Sequence, residues 1–160
     1  MDYKALFKLM RPKQWTKNFF IFAAVIFSGN FLNAHILKIN ILTFILFCLT
    51  SSSIYILNDI VDIEKDKAHP DKRHRPLPSG RISKKNAVLF DILIVLCVAV
   101  LSLFYVDIKI LAIFAVYFVV NIFYSFTLKN VVIIDVMIIT FGFVLRVASG
   151  SVATNVEISP

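Results

Sequence analysis

The sequence predicts an all-α, polytopic transmembrane helical bundle. Three observations carry that expectation. Mean hydropathy is +0.82, with 59% hydrophobic residues and only 17% charged ones, whereas a soluble domain carries about a quarter of its residues as charges. Apolar residues gather into five stretches, each near the roughly 20 residues that cross about 30 Å of hydrocarbon at 1.5 Å per residue. The charges collect between those stretches. Sixteen phenylalanines suit lipid-facing and helix-packing surfaces, and Cys48 and Cys97 both fall in apolar runs, where cysteine acts as a small hydrophobe. The composition argues against a soluble all-helical domain, a disulfide scaffold and a thiol site.

The N-terminal segment over residues 2–17 alternates Leu6, Phe7, Leu9, Met10 and Trp15 with Lys4, Lys8, Arg11, Lys13 and Lys17. That pattern predicts an amphipathic helix on the membrane surface, and it is too long and too charged for the n-region of a signal peptide. Arg11-Pro12 predicts a break, because the residue before proline avoids helical backbone. Spans are then expected at about 18–37, 39–61, 87–105, 110–128 and 131–150. Short links at residues 106–109 and at Lys129-Asn130 make their neighbours antiparallel hairpins. No internal repeat divides the chain, so a single transmembrane domain, or part of one, is expected over 1–160.

Charge placement predicts orientation. With the N-terminus inside, five N-terminal cations, eight between Lys65 and Lys85, and Lys129 are cytoplasmic, while only Lys38 and Lys109 lie outside. Fourteen against two satisfies the positive-inside rule and places the chain in a plasma or inner membrane. The +7 net charge therefore sits at headgroup level, which speaks for anionic headgroups or substrates and against nucleic acid.

The most informative segment, residues 58–86, is a cytoplasmic motif loop opening Asn58-Asp59-Ile60-Val61-Asp62 and continuing to Asp66. Asp59, Asp62 and Asp66 are spaced i, i+3, i+7, one face of a continuing helix, and Asn58, Asp62 and Asp66 step by four along it. Stacked carboxylates at a membrane boundary repel one another, and a divalent cation relieves that repulsion. All-oxygen ligands suit Mg²⁺, which takes one or two carboxylates and completes its shell with water and phosphate. An ordinary solvated loop remains the alternative. Lys72, Arg73 and Arg75 follow at once and read as an anion clamp facing the metal, or as determinants of topology alone. His69 and His74 could serve as ligands or proton carriers.

Asp135 and Arg146 fall inside the fifth span, and Asp91 inside the third. Charges at such depth mark polar cavities. Asp135 and Arg146 share a face but lie roughly 16 Å apart along a helix, too far to pair, so each needs a partner from another helix. Tyr124 and Lys129 flank the same cytoplasmic mouth as Asp135.

These segments resemble the UbiA superfamily of intramembrane prenyltransferases, whose first aspartate motif matches Asn58, Asp59, Asp62 and Asp66. More narrowly, they resemble its branch that transfers phosphoribosyl groups to decaprenyl phosphate. That likeness is carried by Arg11-Pro12-Lys13-Gln14-Trp15-Thr16-Lys17-Asn18, by Asp66 through Pro76 with Gly80, and by Asp135 through Phe143 with Arg146 and Gly150. The resemblance implies about nine spans around a central cavity, of which this chain supplies about five. It further implies Mg²⁺ held by catalytic Asp59, Asp62 and Asp66, with phosphate contacts from Lys17, Asn58, Lys72, Arg73, Arg75, Tyr124, Lys129 and Arg146, and Asp135 lining the cavity. The implied reaction transfers a phosphoribosyl group from phosphoribosyl pyrophosphate to a polyprenyl phosphate, as in cell-wall arabinose-donor synthesis. Prenyl transfer from a polyprenyl diphosphate is the alternative. The second polar motif of the family is not found in the 160 residues, so a truncated, non-catalytic or self-associating chain is a third expectation.

Overall fold

The computed structural model describes residues 2–128 and 132–155. A short surface helix, α1 (Tyr3–Leu9), is capped by the Asp2 carboxylate, which accepts from the Ala5 amide at 3.1 Å. α1 buries Ala5, Leu6 and Leu9 and leaves Lys4, Phe7 and Lys8 outside, so the amphipathic pattern is realised against the protein itself. The break expected at Arg11-Pro12 is present, but Arg11 takes left-handed backbone (φ 52) rather than the extended form. Such backbone costs an L-residue about 1–2 kcal/mol, and here it turns the chain from the surface into the bundle.

The next stretch differs from the single regular span predicted over 18–37. It is a 3₁₀ helix (Pro12–Phe22) running into a short α2 (Ala23–Phe27), a left-handed turn at Gly29 (φ 72) and a further 3₁₀ turn (Asn30–Leu32). Asn33 then caps α3 (Ala34–Val61), its side-chain oxygen accepting from His35 N at 3.0 Å and Ile36 N at 3.3 Å. A 3₁₀ helix rises about 2.0 Å per residue against 1.5 Å for an α-helix. Pro12–Phe27 therefore extends roughly 30 Å, as far as a regular span, in fewer residues.

α4 (Ile63–Ala68) continues past Asp62, and the loop returns through a 3₁₀ turn (Lys72–His74) to α5 (Lys84–Tyr105). Val106 and Asp107 link α5 to α6 (Ile108–Phe123), which widens into a π-helical turn (Tyr124–Leu128), and α7 (Val132–Thr154) closes the described chain. Among the described residues, four helices are long and apolar enough to cross a membrane: Ala34–Val61, Lys84–Tyr105, Ile108–Phe126 and Ile133–Thr154. The architecture is an all-α, membrane-spanning bundle.

α3 is its centre, packed against α5, α6, α7 and the 3₁₀ leg. The interior is where the polar residues are: Asn40, Thr43, Thr50, Ser51, Ser52 and Ser53 are buried, while Leu103, Phe104, Ile133, Val136 and Met137 are exposed. Lipid is as apolar as leucine, so helices associate by close packing of small residues and by hydrogen bonds rather than by hydrophobicity. Ser52 illustrates this. Its hydroxyl lies 2.9 Å from the Met10 carbonyl and 2.7 Å from the Cys48 carbonyl, and it accepts from Trp15 Nε1 at 3.0 Å. Gly150 shows the same economy of volume, since a Cβ there would collide with the Ile21 carbonyl of the leg. Cys48 is buried as expected, whereas Cys97 is exposed on the outer surface.

Candidate functional site

A cleft of ≈190 Å³ opens between the 3₁₀ leg, the end of α3, α6 and α7, and its lining includes Lys17, Asn58, Tyr124, Asp135 and Arg146. Five residues singled out from four separate segments of sequence thus share one cleft. Lys129, predicted beside them, lies outside the described residues.

Arg146 is buried, and the partners that sequence could not supply are Asn18 and Tyr117. Its Nε donates to Asn18 Oδ1 at 2.8 Å and its Nη2 to the Tyr117 hydroxyl at 3.1 Å. The guanidinium carbon lies 5.0 Å from the Phe47 ring centre and 5.2 Å from that of Tyr117. Among the described residues Arg146 forms no ion pair. Neutral acceptors and aromatic faces hold the side chain in place without cancelling its charge, leaving a fixed cation in the wall of the cleft. Asn18 also donates to Cys48 Sγ at 3.2 Å and Ser51 Oγ at 3.3 Å, so one buried amide ties the leg, α3 and α7 together. Asp135 finds its partner in Tyr124, whose hydroxyl donates to it at 2.5 Å across the π-helical turn.

The aspartates are arranged differently from a single stacked face. α3 ends at Val61, and Asp62 (φ −92, ψ 8) sits between α3 and α4. Asp59 and Asp66 are buried and bridged by Arg75, whose Nη1 lies 3.3 Å from Asp59 Oδ1 and 2.7 Å from Asp66 Oδ2. Arg11 pairs with Asp59 from the other side, and Lys72 Nζ stands 3.9 Å from Asp66. Asp59 lines a second, basic cleft against α1, while its neighbour Asn58 faces the central one. Arg75 is aimed by the loop that follows it, where Leu77 and Ile82 are buried as anchors and the Ile82 amide donates to the Pro76 carbonyl at 3.2 Å. Arg73 is exposed against His74. His69 Nδ1 accepts from the Asp71 and Lys72 amides at 3.2 and 3.4 Å, a turn-closing role.

Among the described residues no three His, Cys, Asp or Glu side chains converge to form a metal cage. The donor set nonetheless fits a divalent cation that arrives with a phosphate. Mg²⁺ needs only one or two carboxylates from the protein, and Asn58 Oδ1 is a buried oxygen without a hydrogen-bond partner. Buried polar atoms are ordinarily paired, so that oxygen fits a ligand.

The fold and site define a polytopic helical bundle with a fixed cation, a carboxylate–phenol pair and an aspartate–arginine cluster, an arrangement that can receive a polyanion. The UbiA prenyltransferase family matches residues 18–160, and the chain belongs to that family. It is 35% identical to a decaprenyl-phosphate phosphoribosyltransferase of Mycolicibacterium smegmatis over 96% of this chain and 49% of that protein. A Corynebacterium glutamicum protein of the same name is 33% identical, over 96% and 47% of the respective lengths. A solved structure described as concerning digeranylgeranylglyceryl phosphate synthase in membranes superposes with a TM-score of 0.81 at 26% identity, over 94% of this chain and 53% of that one. The chain thus spans about half the length of these relatives.

Proposed function

We propose that this chain carries the donor-binding half of a phosphoribosyl transfer from phosphoribosyl pyrophosphate to a polyprenyl phosphate. The observation that carries the reading is the convergence of Lys17, Asn58 and the carboxylate-free Arg146 on one cleft at the end of the aspartate motif. Kinship with phosphoribosyltransferases over nearly the whole chain supports the choice of donor.

In this reading Asp62 and Asp66, with Asn58 Oδ1, would hold Mg²⁺. A bound divalent cation neutralises charge on a departing pyrophosphate. Arg146 and Lys17 grip phosphate oxygens from the opposite wall, and Tyr124 stands at the mouth, its one hydroxyl proton held by Asp135 until a phosphate oxygen replaces the carboxylate as acceptor. From the loop, Arg75 holds the Asp59 and Asp66 carboxylates in place, and Lys72 stands beside Asp66 as the loop's further cation. An oxygen of the lipid phosphate attacks C1 of the ribose, the bond from C1 to the pyrophosphate oxygen breaks, and the electron pair leaves with pyrophosphate. The attacking oxygen is already ionised near neutral pH, so a strong general base is not required. Donor and loop lie on the cytoplasmic side, in keeping with the charge asymmetry, and the 3₁₀ leg with α2 serves as a fifth crossing of the plasma membrane.

The likeness to the digeranylgeranylglyceryl phosphate synthase structure favours a second reading, in which the same cleft takes a prenyl diphosphate and transfers the prenyl group. Liposomes containing polyprenyl phosphate and this chain, supplied with ribose-labelled phosphoribosyl pyrophosphate, separate the readings. Mg²⁺-dependent entry of label into lipid is expected. Release of pyrophosphate only from a prenyl diphosphate donor, with a prenyl acceptor supplied, supports the second reading, and no transfer from either donor means that these residues do not suffice for turnover, alone or self-associated.

A further inference from the structure

We propose that the basic cleft between α1 and the loop following α4 is a second anion site, one that seats the phosphate headgroup of an anionic membrane lipid. The cleft has a volume of ≈600 Å³ and is lined by Lys4, Lys8, Arg11, Lys13 and Arg75, with Phe7, Pro12 and Pro76 as apolar wall. Its one acidic wall residue, Asp59, is already shared between Arg11 and Arg75. Among the described residues, three lysines therefore face the cleft with no carboxylate of its lining left to answer them. Lys4 and Lys8 are one turn apart on α1, a like-charge spacing that destabilises a helix unless an anion lies between.

The cleft is built rather than incidental. α1 is pinned by buried Ala5, Leu6 and Leu9, and the turn below it by Ser52, which reaches both the Met10 carbonyl and Trp15 Nε1. Arg11 holds left-handed backbone at the same point and stacks 5.0 Å from the Tyr55 ring centre.

The surroundings select a lipid over a soluble phosphate. Tyr3 and Phe7 are 77% and 57% exposed on α1 beside the lysines, and Phe19 and Phe20 are exposed on the leg below. Cations beside exposed aromatic side chains, where the chain turns from water to hydrocarbon, describe a headgroup level. The volume also exceeds what one phosphate requires. A lipid seated here clamps α1 onto the bundle and lies across the Asp59–Arg11–Arg75 cluster from the central cleft. The inference does not depend on which group is transferred.

Trp15 is the single tryptophan, and its ring lies 6.0 Å from that of Phe7 in the cleft wall, so its fluorescence reports occupancy. The detergent-solubilised chain is titrated with phosphatidylglycerol, phosphatidylcholine or inorganic phosphate. A saturable change with phosphatidylglycerol alone is expected, unaffected by inorganic phosphate. Each lysine near an anionic headgroup contributes about fivefold in affinity, so Lys4→Ala/Lys8→Ala/Lys13→Ala weakens binding about 100-fold. Lys84→Ala/Lys85→Ala, which removes cations away from the cleft, leaves it unchanged. Unfolding of the triple variant, read by far-ultraviolet circular dichroism, moves the test to Lys8→Ala, with about a fivefold loss expected. Equal response to phosphatidylcholine, displacement by inorganic phosphate, equal loss in the Lys84/Lys85 variant, or unaltered affinity in the α1 variants overturns the proposal.

Discussion

Replacing Asn18 by alanine tests how the buried cation is held. The change deletes the acceptor for Arg146 Nε at 2.8 Å and the donor to Cys48 and Ser51 at 3.2 and 3.3 Å. A hydrogen bond to a charged group contributes about 1.5–3 kcal/mol. The two longer neutral contacts are weaker, since interhelical bonds in membranes average about 0.6 kcal/mol. Asn18→Ala is therefore expected to cost about 2–3 kcal/mol, a 30- to 150-fold shift at about 1.4 kcal/mol per factor of ten. Equilibrium unfolding in mixed micelles, followed through Trp15, measures it. Asn18→Asp supplies the sharper contrast: a carboxylate keeps the acceptor for Arg146 Nε but loses the donor to Cys48 and Ser51, so it costs less stability than Asn18→Ala, yet it cancels the charge presented to the cleft and lowers transfer at least about tenfold. A loss below about 0.5 kcal/mol in Asn18→Ala, or full activity in Asn18→Asp, refutes the reasoning.

Other expectations follow from single contacts. Gly150→Ala drives a methyl into the Ile21 carbonyl and should cost about 1–3 kcal/mol, read by the same unfolding assay. Arg75→Gln leaves buried Asp59 with Arg11 alone and Asp66 with only the distant Lys72. A loss near the 3–5 kcal/mol typical of broken buried pairs is expected, softened by the exposure of Arg75. Asp62→Asn should abolish Mg²⁺-dependent transfer, read as loss of ribose label entering the lipid phase. Chelation should likewise stop transfer without lowering the melting temperature of the substrate-free chain.

The helical class was legible because apolar length depends only on composition, and α3 and α5 to α7 follow the predicted stretches within a few residues. The starts of α3, α5 and α6 were read late. α5 begins at Lys84 rather than residue 87, since Ser83 caps it by accepting from the Asn86 amide at 3.2 Å, while apolar counting stops at the lysines. Asn33 gave the same capping signal ahead of α3. The 3₁₀ leg was illegible because both helix types satisfy their backbone internally, and hydropathy does not distinguish them.

In the site, residue types outran geometry. Asp135, Arg146 and Tyr124 were found by charge at depth and their place at the mouth, Lys17 and Asn58 through the family resemblance, and the five line one cleft. Asn18 and Tyr117 were passed over as site residues, because a neutral side chain in an apolar run carries no charge signal. Charge at depth was the usable clue: Arg146 demanded acceptors from other helices, and Asn18 and Tyr117 were polar candidates on them. Helical spacing placed Asp59 with Asp62 and Asp66, but no spacing rule foretells that Arg11, 48 residues away in sequence, takes up Asp59.

The most direct measurement is binding of phosphoribosyl pyrophosphate to the purified chain by isothermal titration, with and without Mg²⁺, in the wild type and in Arg146→Gln. Saturable binding that requires Mg²⁺ and weakens at least about tenfold in a folded Arg146→Gln variant is the predicted result. Absence of binding, or equal binding in both proteins, would contradict the claim that the cleft around Arg146 receives the donor.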